Sequence, residues 1–324
     1  MSDLILHHYA TSPFSEKVRL VLGLKEMTWR SVTVPTMLPK PDVIALTGGY
    51  RRTPFMQIGA DVYCDSALMC RVIDRLAPNP PLYPAASAGQ SELVAQWADT
   101  TLFWTAVPYT MQPAGAPHIF GDAPVEYLKA FRDDRAAMTA GMRRPTFADA
   151  GVQLKRYVGW LDAQLADGRS WLMGSEPSIA DFSVAQSIWF VRRAPPVATV
   201  LAPYRRVLAW YEHVQSLGHG EPTPMSSEEA IAAARSAGPP VHVLVAPGEA
   251  FGAGADVSVT PTDYAHDPVE GRLVGLDDDE VVIAREDARA GHVQVHFPRI
   301  GYQVKAGSRG PDRSDVPELK ARVR

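Results

Sequence analysis

The chain has 324 residues, which is too long for one ordinary hydrophobic core and predicts two or three domains. Its composition, 46% hydrophobic and 21% charged, is typical of a soluble globular protein. A formal net charge of −4 gives no reason to expect nucleic acid or an anionic membrane as a partner. No apolar run approaches the roughly 20 residues of a transmembrane helix, so we expect no membrane span.

Two cysteines, Cys64 and Cys70, are too few for a disulfide framework. We therefore expect a cytoplasmic protein, with Cys70 in the core.

Strand and helix patterns alternate through residues 1–83 and predict a compact α/β domain. The elements are recognised by apolar spacing and by turn residues between them. The first elements are a buried strand at 3–8, an amphipathic helix at 15–25 and an alternating strand at 29–34. A hairpin of strands 55–58 and 62–64 follows, and a second helix begins at Asp65. The proline-containing stretch after the second strand is expected to be a loop.

Residues 88–236 change character, because apolar residues recur every three or four positions and strand patterns are scarce. This predicts an all-α domain with helices over 89–107, 125–138, 149–166, 179–191 and 204–217. Proline-rich segments at 77–87 and 236–241 mark its two boundaries.

Residues 240–306 contain short β-branched segments separated by Gly, Pro and Asp. They predict a small all-β barrel or sandwich, and residues 307–324 a mobile tail. His292 and His296 lie four apart on a presumed strand, but no Cys or acid at ligand spacing completes a metal site, so we interpret them as ordinary strand histidines and expect no metal. The overall fold class is multidomain α+β.

Four segments carry a resemblance to a known family: "YATSPFSEKVRL", "RRTPFMQI", "CDSALM" and "SIADFSVA". In this order they resemble the thioredoxin-like and helical domains of the glutathione S-transferase family, in its serine-type or omega/tau-like classes. The resemblance spans residues 1 to about 218. The β segment after residue 240 lies outside it.

The resemblance places Ser12 of the Ser-Pro-Phe turn at the catalytic position, where the family presents a side chain to the sulfur of glutathione. A hydroxyl at a helix N-terminus can donate a hydrogen bond to a thiolate, and the helix dipole stabilises the same charge. The alternative is that Ser12 is only a helix N-cap. Tyr9 and Ser15 are rival donors, of which Ser15 is more easily explained as a first-turn residue.

Two further segments match glutathione-binding motifs of the family. "TPFMQI" matches the segment with a cis-proline, so that Pro54 would be cis and the backbone of Thr53 would pair with the cysteinyl part of glutathione. "CDSALM" places Asp65 and Ser66 on the γ-glutamyl group, with the helix N-terminus suited to its carboxylate. An ordinary trans turn proline at Pro54, and plain helix capping by Asp65 or Ser66, are the alternatives.

The segment "TGGYRRTP" departs from the family, which often has an Asn-Pro or similar pair and a Lys or Gln there. Arg52, or its neighbour Arg51, could bind the glycyl carboxylate, because an arginine fork fits a carboxylate; both could equally be solvated surface charges.

From the aromatic stretch 101–111 we keep Tyr109 as a candidate for the acceptor-substrate pocket, although aromatic residues at helical spacing are more often core. Ser178 and Asp181 resemble the family's structural capping box.

The resemblance implies an enzyme that activates the glutathione thiolate for attack on a small hydrophobic electrophile, and a two-fold homodimer. Glutathione-dependent isomerisation or dehalogenation would use the same thiol site. A non-catalytic binding or scaffold protein with the same fold is the alternative from another class. The β segment could bind a partner, cover the mouth of the active site or support the helical domain.

Overall fold

A computed structural model describes residues 3–307 of the chain. Of the expected mobile tail, residues 308–324 lie outside the described part. The N-terminal part contains β1 (Leu4–His8), α1 (Pro13–Leu24), β2 (Thr28–Thr33), α2 (Pro41–Thr47), β3 (Phe55–Ile58), β4 (Asp61–Cys64) and α3 (Ser66–Leu76). Strand β1 pairs in parallel with β2 and antiparallel with β3, and β3 pairs antiparallel with β4. The thioredoxin-like arrangement is thereby confirmed.

Helix α2 was not expected, since its segment reads as a proline-containing loop. Pro41 occupies the first turn of α2, where its fixed φ suits a helix and its missing N–H would have no partner anyway. Gly48 ends the helix at φ 77°, a left-handed conformation that favours glycine. The prolines therefore start a helix here, and the prediction of a loop over residues 41–47 is wrong.

The all-α domain is confirmed, and its long helices lie close to the predicted ranges. Its helices are α4 (Ala88–Trp97), α5 (Phe103–Thr110), α6 (Ala116–Phe120), α7 (Val125–Met138), α8 (Phe147–Gln164), α9 (Ile179–Arg192), α10 (Pro195–Ala198) and α11 (Arg205–Gln215). Between α4 and α5, a π-helical turn over Ala98–Leu102 replaces the regular α-helix that the spacing predicts. Such turns are frequent at functional sites.

Two elements at the end of the all-α range return to the first domain. Strand β5 (Glu221–Pro224) pairs in parallel with β2, and α12 (Ser227–Arg235) packs on α2. Residues 221–235 lie within the range 88–236 that the sequence assigns to the helical domain, but their contacts are with the sheet and α2.

The C-terminal β domain consists of β6 (Asp256–Pro261), β7 (Val269–Leu276), β8 (Glu280–Asp287), β9 (Gly291–Pro298) and β10 (Tyr302–Ala306). Strands β6 to β9 form an antiparallel meander, and β10 returns beside β6. The predicted C-terminal β domain is confirmed, but its strands do not form a sheet of their own. Instead β9 pairs in parallel with β4, so that ten strands form one continuous sheet in the order β10-β6-β7-β8-β9-β4-β3-β1-β2-β5.

The sheet has a hydrophobic core on each side. Leu4 and Leu6 of β1 point to α1, α3 and the helical domain, whereas Ile5 between them points to α2, α12 and the β domain. This alternation follows from the period of two along a strand. Both faces of β1 are buried, which explains why its sequence reads as a continuous apolar run.

His296 joins the β domain to the first domain and is not the ordinary strand histidine that the sequence suggests. Its ring is 1% exposed, with Nε2 2.9 Å from Oδ1 of Asp61 on β4 and Nδ1 hydrogen-bonded to Glu280 on β8. Burial alone would lower the pKa of His296, but its hydrogen bonds to the two carboxylates outweigh burial and raise it. His292, in contrast, lies on the surface beside Glu286.

Within residues 3–307, none of the helices is both long and apolar enough to cross a bilayer.

Candidate active site

One cavity lies where the thioredoxin-like domain, the helical domain and the β domain meet. It encloses about 180 Å³, below the roughly 300–1,000 Å³ of sites for drug-sized ligands. All five residues that the sequence assigns to glutathione binding line it: Arg52, Thr53, Pro54, Asp65 and Ser66. Residues from two separate segments of the predicted site, 52–54 and 65–66, thus meet at one place.

The N-terminus of α3 forms one end of this cavity. Asp65 is the N-cap, and its Oδ1 accepts a 2.9 Å hydrogen bond from the backbone N–H of Ala67. Its φ of 77° is uncommon for a non-glycine residue and is retained here by the surrounding structure. Within residues 3–307, neither the backbone N–H nor the hydroxyl of Ser66 has a hydrogen-bond partner. Two donors and the positive end of the helix dipole therefore remain available to an anion.

The Thr53–Pro54 peptide bond is cis. In the described part of the chain, the backbone N–H of Thr53 has no backbone partner, and its carbonyl faces the turn that contains Ser12. The Thr53 backbone can therefore pair with an extended peptide, as an added strand would.

Ser12 caps α1 and also lies beside the predicted glutathione segment. Its Oγ accepts a hydrogen bond from the backbone N–H of Ser15 at 3.2 Å and donates to the carbonyl of Thr53 at 3.4 Å. The residue is only 2% exposed and does not itself line the cavity, whereas Phe14, two positions later, does. The capping role is observed, and the hydroxyl donates to Thr53, which lines the cavity.

Like Ser12, the two rival donors are not part of the cavity lining. The hydroxyl of Ser15 is buried and has no hydrogen-bond partner within the described residues. Tyr9 packs against the core on the α2 side of the sheet, and its backbone carbonyl accepts a hydrogen bond from Ser12 N–H at 3.2 Å. Arg19 of α1 donates to the carbonyls of Tyr9 and Ala10 and so holds the turn that presents Ser12.

Both arginines of "TGGYRRTP" are buried and neither is a solvated surface charge. Arg51 forms an ion pair with Asp134 of α7. Arg52 binds Asp263 and the carbonyl of Tyr264 through Nη2, while its buried Nε has no partner within residues 3–307. Of the two, Arg52 lines the cavity and Arg51 does not.

Tyr109 is not brought to the cavity. Its hydroxyl donates to the carbonyl of Val197 at 3.2 Å, and its ring packs against the core of the helical domain and Gly151. The structure therefore places Tyr109 in a packing role, in agreement with the general preference of aromatic residues for the core.

Sequence reasoning missed a buried ion pair on the cavity wall. Nζ of Lys17, on α1, lies 2.6 Å from Oδ2 of Asp99, which belongs to the π-helical turn. Ser183 and Gln186 of α9 also donate hydrogen bonds to Asp99. Although burial would lower the pKa of Lys17, Asp99 raises it and keeps the ammonium charged. Lys17 and Asp99 are 82 positions apart, so no local sequence pattern predicts that they form a pair.

Residues of the β domain also belong to the cavity wall and were missed, and three of them contact residues of the predicted site. Asp263 and Tyr264, in the β6–β7 loop, contact Arg52, and Tyr302 of β10 donates a 3.1 Å hydrogen bond to Oδ2 of Asp65. The β domain therefore supplies part of the wall of this cavity. No motif near these residues points to a site, because their partners lie elsewhere in the chain.

Comparison with known proteins agrees with this geometry. Residues 6–81 match the family model "Glutathione S-transferase, N-terminal domain", and residues 141–213 match "Glutathione S-transferase, C-terminal domain". A GST-like protein from Pseudomonas syringae is 39% identical, with a TM-score of 0.79 over 94% of this chain and 100% of its own. The chain belongs to the glutathione S-transferase family.

More distant matches, under 25% identical, show a shared fold over about two thirds of the chain. A glutathione S-transferase from Rhodospirillum rubrum is 18% identical with a TM-score of 0.51, over 66% of this chain and 88% of its own. A glutathione transferase from Populus trichocarpa is 17% identical with a TM-score of 0.50, over 66% and 93%. The Pseudomonas match, at 94% of the chain, has to include the C-terminal strands. Among curated proteins, no sequence matches this chain.

Two structural features predicted from the sequence, the capping box and the buried position of Cys70, are present. The backbone N–H of Ser178 donates to Oδ2 of Asp181 at 2.9 Å in the capping box of α9, and Oδ1 of Asp181 accepts from the indole of Trp210 at 2.8 Å. Cys70 is fully buried, and burial raises its thiol pKa to about 12, which makes it unreactive. Within residues 3–307, no three or more His, Cys, Asp or Glu side chains are grouped to hold a metal.

Proposed function

We propose that this protein binds glutathione in the cavity and activates its thiolate for attack on a small hydrophobic electrophile. The observation that carries the proposal is the unpartnered N-terminus of α3, with Ser66 and Asp65 facing the same cavity as Thr53. This arrangement supplies donors for a carboxylate, an acceptor for an ammonium group and a peptide backbone for pairing. Glutathione contains all three complementary groups.

The ends of glutathione would bind as follows. The γ-glutamyl carboxylate meets the N–H and hydroxyl of Ser66, assisted by the helix dipole. Its ammonium meets Asp65, and the cysteinyl backbone pairs with Thr53. Arg52 lines the cavity and would bind the glycyl carboxylate through its guanidinium, whose Nη2 is held by Asp263 and the carbonyl of Tyr264.

Ser12 would stabilise the sulfur. Its hydroxyl donates over 3.4 Å to Thr53 in the free protein, and a thiolate is a stronger acceptor for the same proton. Together with the N-terminus of α1, this hydrogen bond lowers the pKa of the glutathione thiol, whose proton leaves to water. The thiolate then forms a carbon–sulfur bond with the electrophile, and the electron pair passes to the leaving group or into the acceptor. Holding both reactants together supplies further rate enhancement.

Glutathione-dependent isomerisation and dehalogenation start from the same thiolate, and screening of acceptors separates them from conjugation. The family's two-fold dimer and cytoplasmic location are part of the same proposal and rest on membership of the family.

Glutathione titration tests this proposal, with thiolate formation followed by its ultraviolet absorbance at neutral pH. We expect thiolate in the wild-type protein and binding without thiolate in Ser12→Ala. Tyr9→Phe and Ser15→Ala serve as matched controls for the rival donors, and both should retain the thiolate. Thiolate that persists in Ser12→Ala and disappears in either control would assign the donor role to that residue.

A second candidate is a binding or scaffold protein without transferase activity. It is favoured by the β domain, which already engages Asp65 through Tyr302 and Arg52 through Asp263. If wild-type protein binds no glutathione in the titration, this second candidate replaces the first.

A further inference from the structure

The β6–β7 loop forms a fixed wall of the cavity. It spans residues 262–268, and its Tyr264 lines the cavity. The next residue, Ala265, donates from its backbone N–H to the carbonyl of Met138 on α7 at 2.7 Å, with a left-handed φ of 47°. Nδ1 of His266 lies 2.8 Å from the carbonyl of Pro261 and closes the base of the loop. A backbone held at an unfavourable φ by such contacts indicates a defined position for the loop.

The ring of Tyr264 lies between two other domains. The guanidinium of Arg52 stacks on it at 3.8 Å from the ring centroid, and the indole of Trp104 on α5 meets it edge-on with centroids 5.1 Å apart. Burial raises the pKa of Tyr264 to about 12, so the phenol is neutral at physiological pH. Its hydroxyl has no hydrogen-bond partner in the described part of the chain, so the ring makes the contacts.

Two series of residue contacts connect Tyr264 with the turn that contains Ser12. Along the first, Trp104 contacts Phe103 at 5.0 Å, and Phe103 contacts Phe14 at 4.6 Å, two residues after Ser12. Along the second, Arg52 precedes Thr53, whose carbonyl accepts the hydrogen bond from Ser12. A group bonded to a sulfur at Ser12 would therefore extend toward the space between Phe14 and Tyr264, which both line the cavity.

We infer that the ring of Tyr264 limits the size of the group that can be bonded to the glutathione sulfur, and so determines acceptor specificity. This inference rests on the proposed glutathione site. It assigns the β domain a direct part in substrate selection, with small acceptors favoured over large aromatic ones.

Conjugate binding tests the inference without requiring turnover. Calorimetry would compare glutathione, S-benzylglutathione and S-(naphthylmethyl)glutathione on wild type, Tyr264→Ala and Tyr264→Phe. In wild type we expect the naphthylmethyl conjugate to bind at least about tenfold more weakly than the benzyl conjugate. Tyr264→Ala should reduce this ratio to about threefold or less, while Tyr264→Phe, which keeps the ring, should retain it. If Tyr264→Ala disturbs Arg52, the affinity for both conjugates falls by the same factor, because both contain glutathione. The ratio of the two affinities is then unchanged by this effect.

The outcomes separate the two proposals. Wild-type protein that binds neither glutathione nor the benzyl conjugate overturns the proposed function, and the inference with it. Binding of glutathione with an unchanged ratio in Tyr264→Ala, or equal binding of both conjugates to wild type, overturns the inference alone. Circular dichroism and thermal melting check each variant, and Tyr264→Leu replaces the alanine variant if the latter does not fold.

Discussion

The hydroxyl of Tyr302, on the last described strand, donates a 3.1 Å hydrogen bond to Oδ2 of Asp65, at the N-terminus of α3. The same hydroxyl lies 3.4 Å from that of Tyr50. The β domain thus supports a carboxylate that the proposed site requires. A domain outside the usual range of family resemblance is built into the cavity and is not a mere appendage.

Replacement of this hydroxyl tests the link between the domains. Tyr302→Phe should lower the free energy of unfolding by about 1 kcal/mol, because Oδ2 of Asp65 loses its donor. It should also weaken glutathione binding about fivefold, because the carboxylate is no longer held in place. Urea denaturation and calorimetry measure the two effects. Tyr264→Phe, which removes an unpartnered hydroxyl, is the matched control, and an equal effect in both variants would contradict this account.

Replacing Ser12 and replacing Ser15 should have different effects on the stability of the protein as well as on its chemistry. Ser12→Ala removes the N-cap acceptor of Ser15 N–H and should cost about 1 kcal/mol of unfolding free energy. Ser15→Ala removes a buried hydroxyl without a partner and should cost little or stabilise the protein. Chemical denaturation of both variants in parallel measures this order, and the reverse order would exclude Ser12 as the effective cap.

Two buried histidines on β1 should make the protein sensitive to acid. Burial lowers the pKa of His7 and of His8 to about 4, whereas an unfolded histidine titrates near 6.5. Between about pH 6.5 and 4 the unfolded chain therefore binds more protons, and stability falls on acidification by up to about 1.4 kcal/mol per pH unit for each residue.

Unfolding free energies across that pH range measure the effect. His7→Gln should remove about half of the slope. His292→Gln, at an exposed position, should leave it unchanged. A flat profile in wild type would contradict the buried neutral state of both side chains.

His296 should make the free energy of unfolding fall as pH rises, which is opposite to the effect of His7 and His8 and occurs at higher pH. Its pKa is raised in the folded protein, because its hydrogen bonds to Asp61 and Glu280 outweigh the effect of burial. Its stabilising contribution is therefore fully present below about pH 6.5 and is lost as pH rises through the higher folded-state pKa. Unfolding free energies measured from pH 6 upward should decline in wild type and decline less in His296→Gln. An identical decline in the two proteins would show that the loss has another origin.

Removing one charge of the ion pair between Lys17 and Asp99 should destabilise the protein more than removing both charges. Asp99→Asn leaves the fully buried ammonium of Lys17 without its counter-charge and should destabilise the protein by about 3 kcal/mol. The double variant Lys17→Met, Asp99→Asn removes both charges and should recover much of the loss. Denaturation of the single and double variants completes the comparison, and additive losses would argue against coupling of the two charges.

Much of the first two domains could be predicted from sequence because the relevant signals are local. The cap at Ser12, the start of α3 at Asp65 and the capping box of Ser178 with Asp181 each depend on residues within three or four positions of one another. Apolar periodicity likewise indicates which face of a helix or strand is buried. One failure was local as well, since Pro41 suggested a loop but begins α2.

The composition of the cavity wall depends on contacts between distant parts of the chain. Asp65 and Tyr302 are 237 positions apart, and Arg52 and Tyr264 are 212 apart. No spacing rule connects such pairs, because they meet only after β9 has paired with β4 and the β domain has buried its apolar face against α2 and α12. The sequence by itself determined the local caps, periodicities and family motifs, which arise from neighbouring residues. Only the tertiary structure decided that the β domain closes the cavity, because non-local burial and strand pairing bring its residues there.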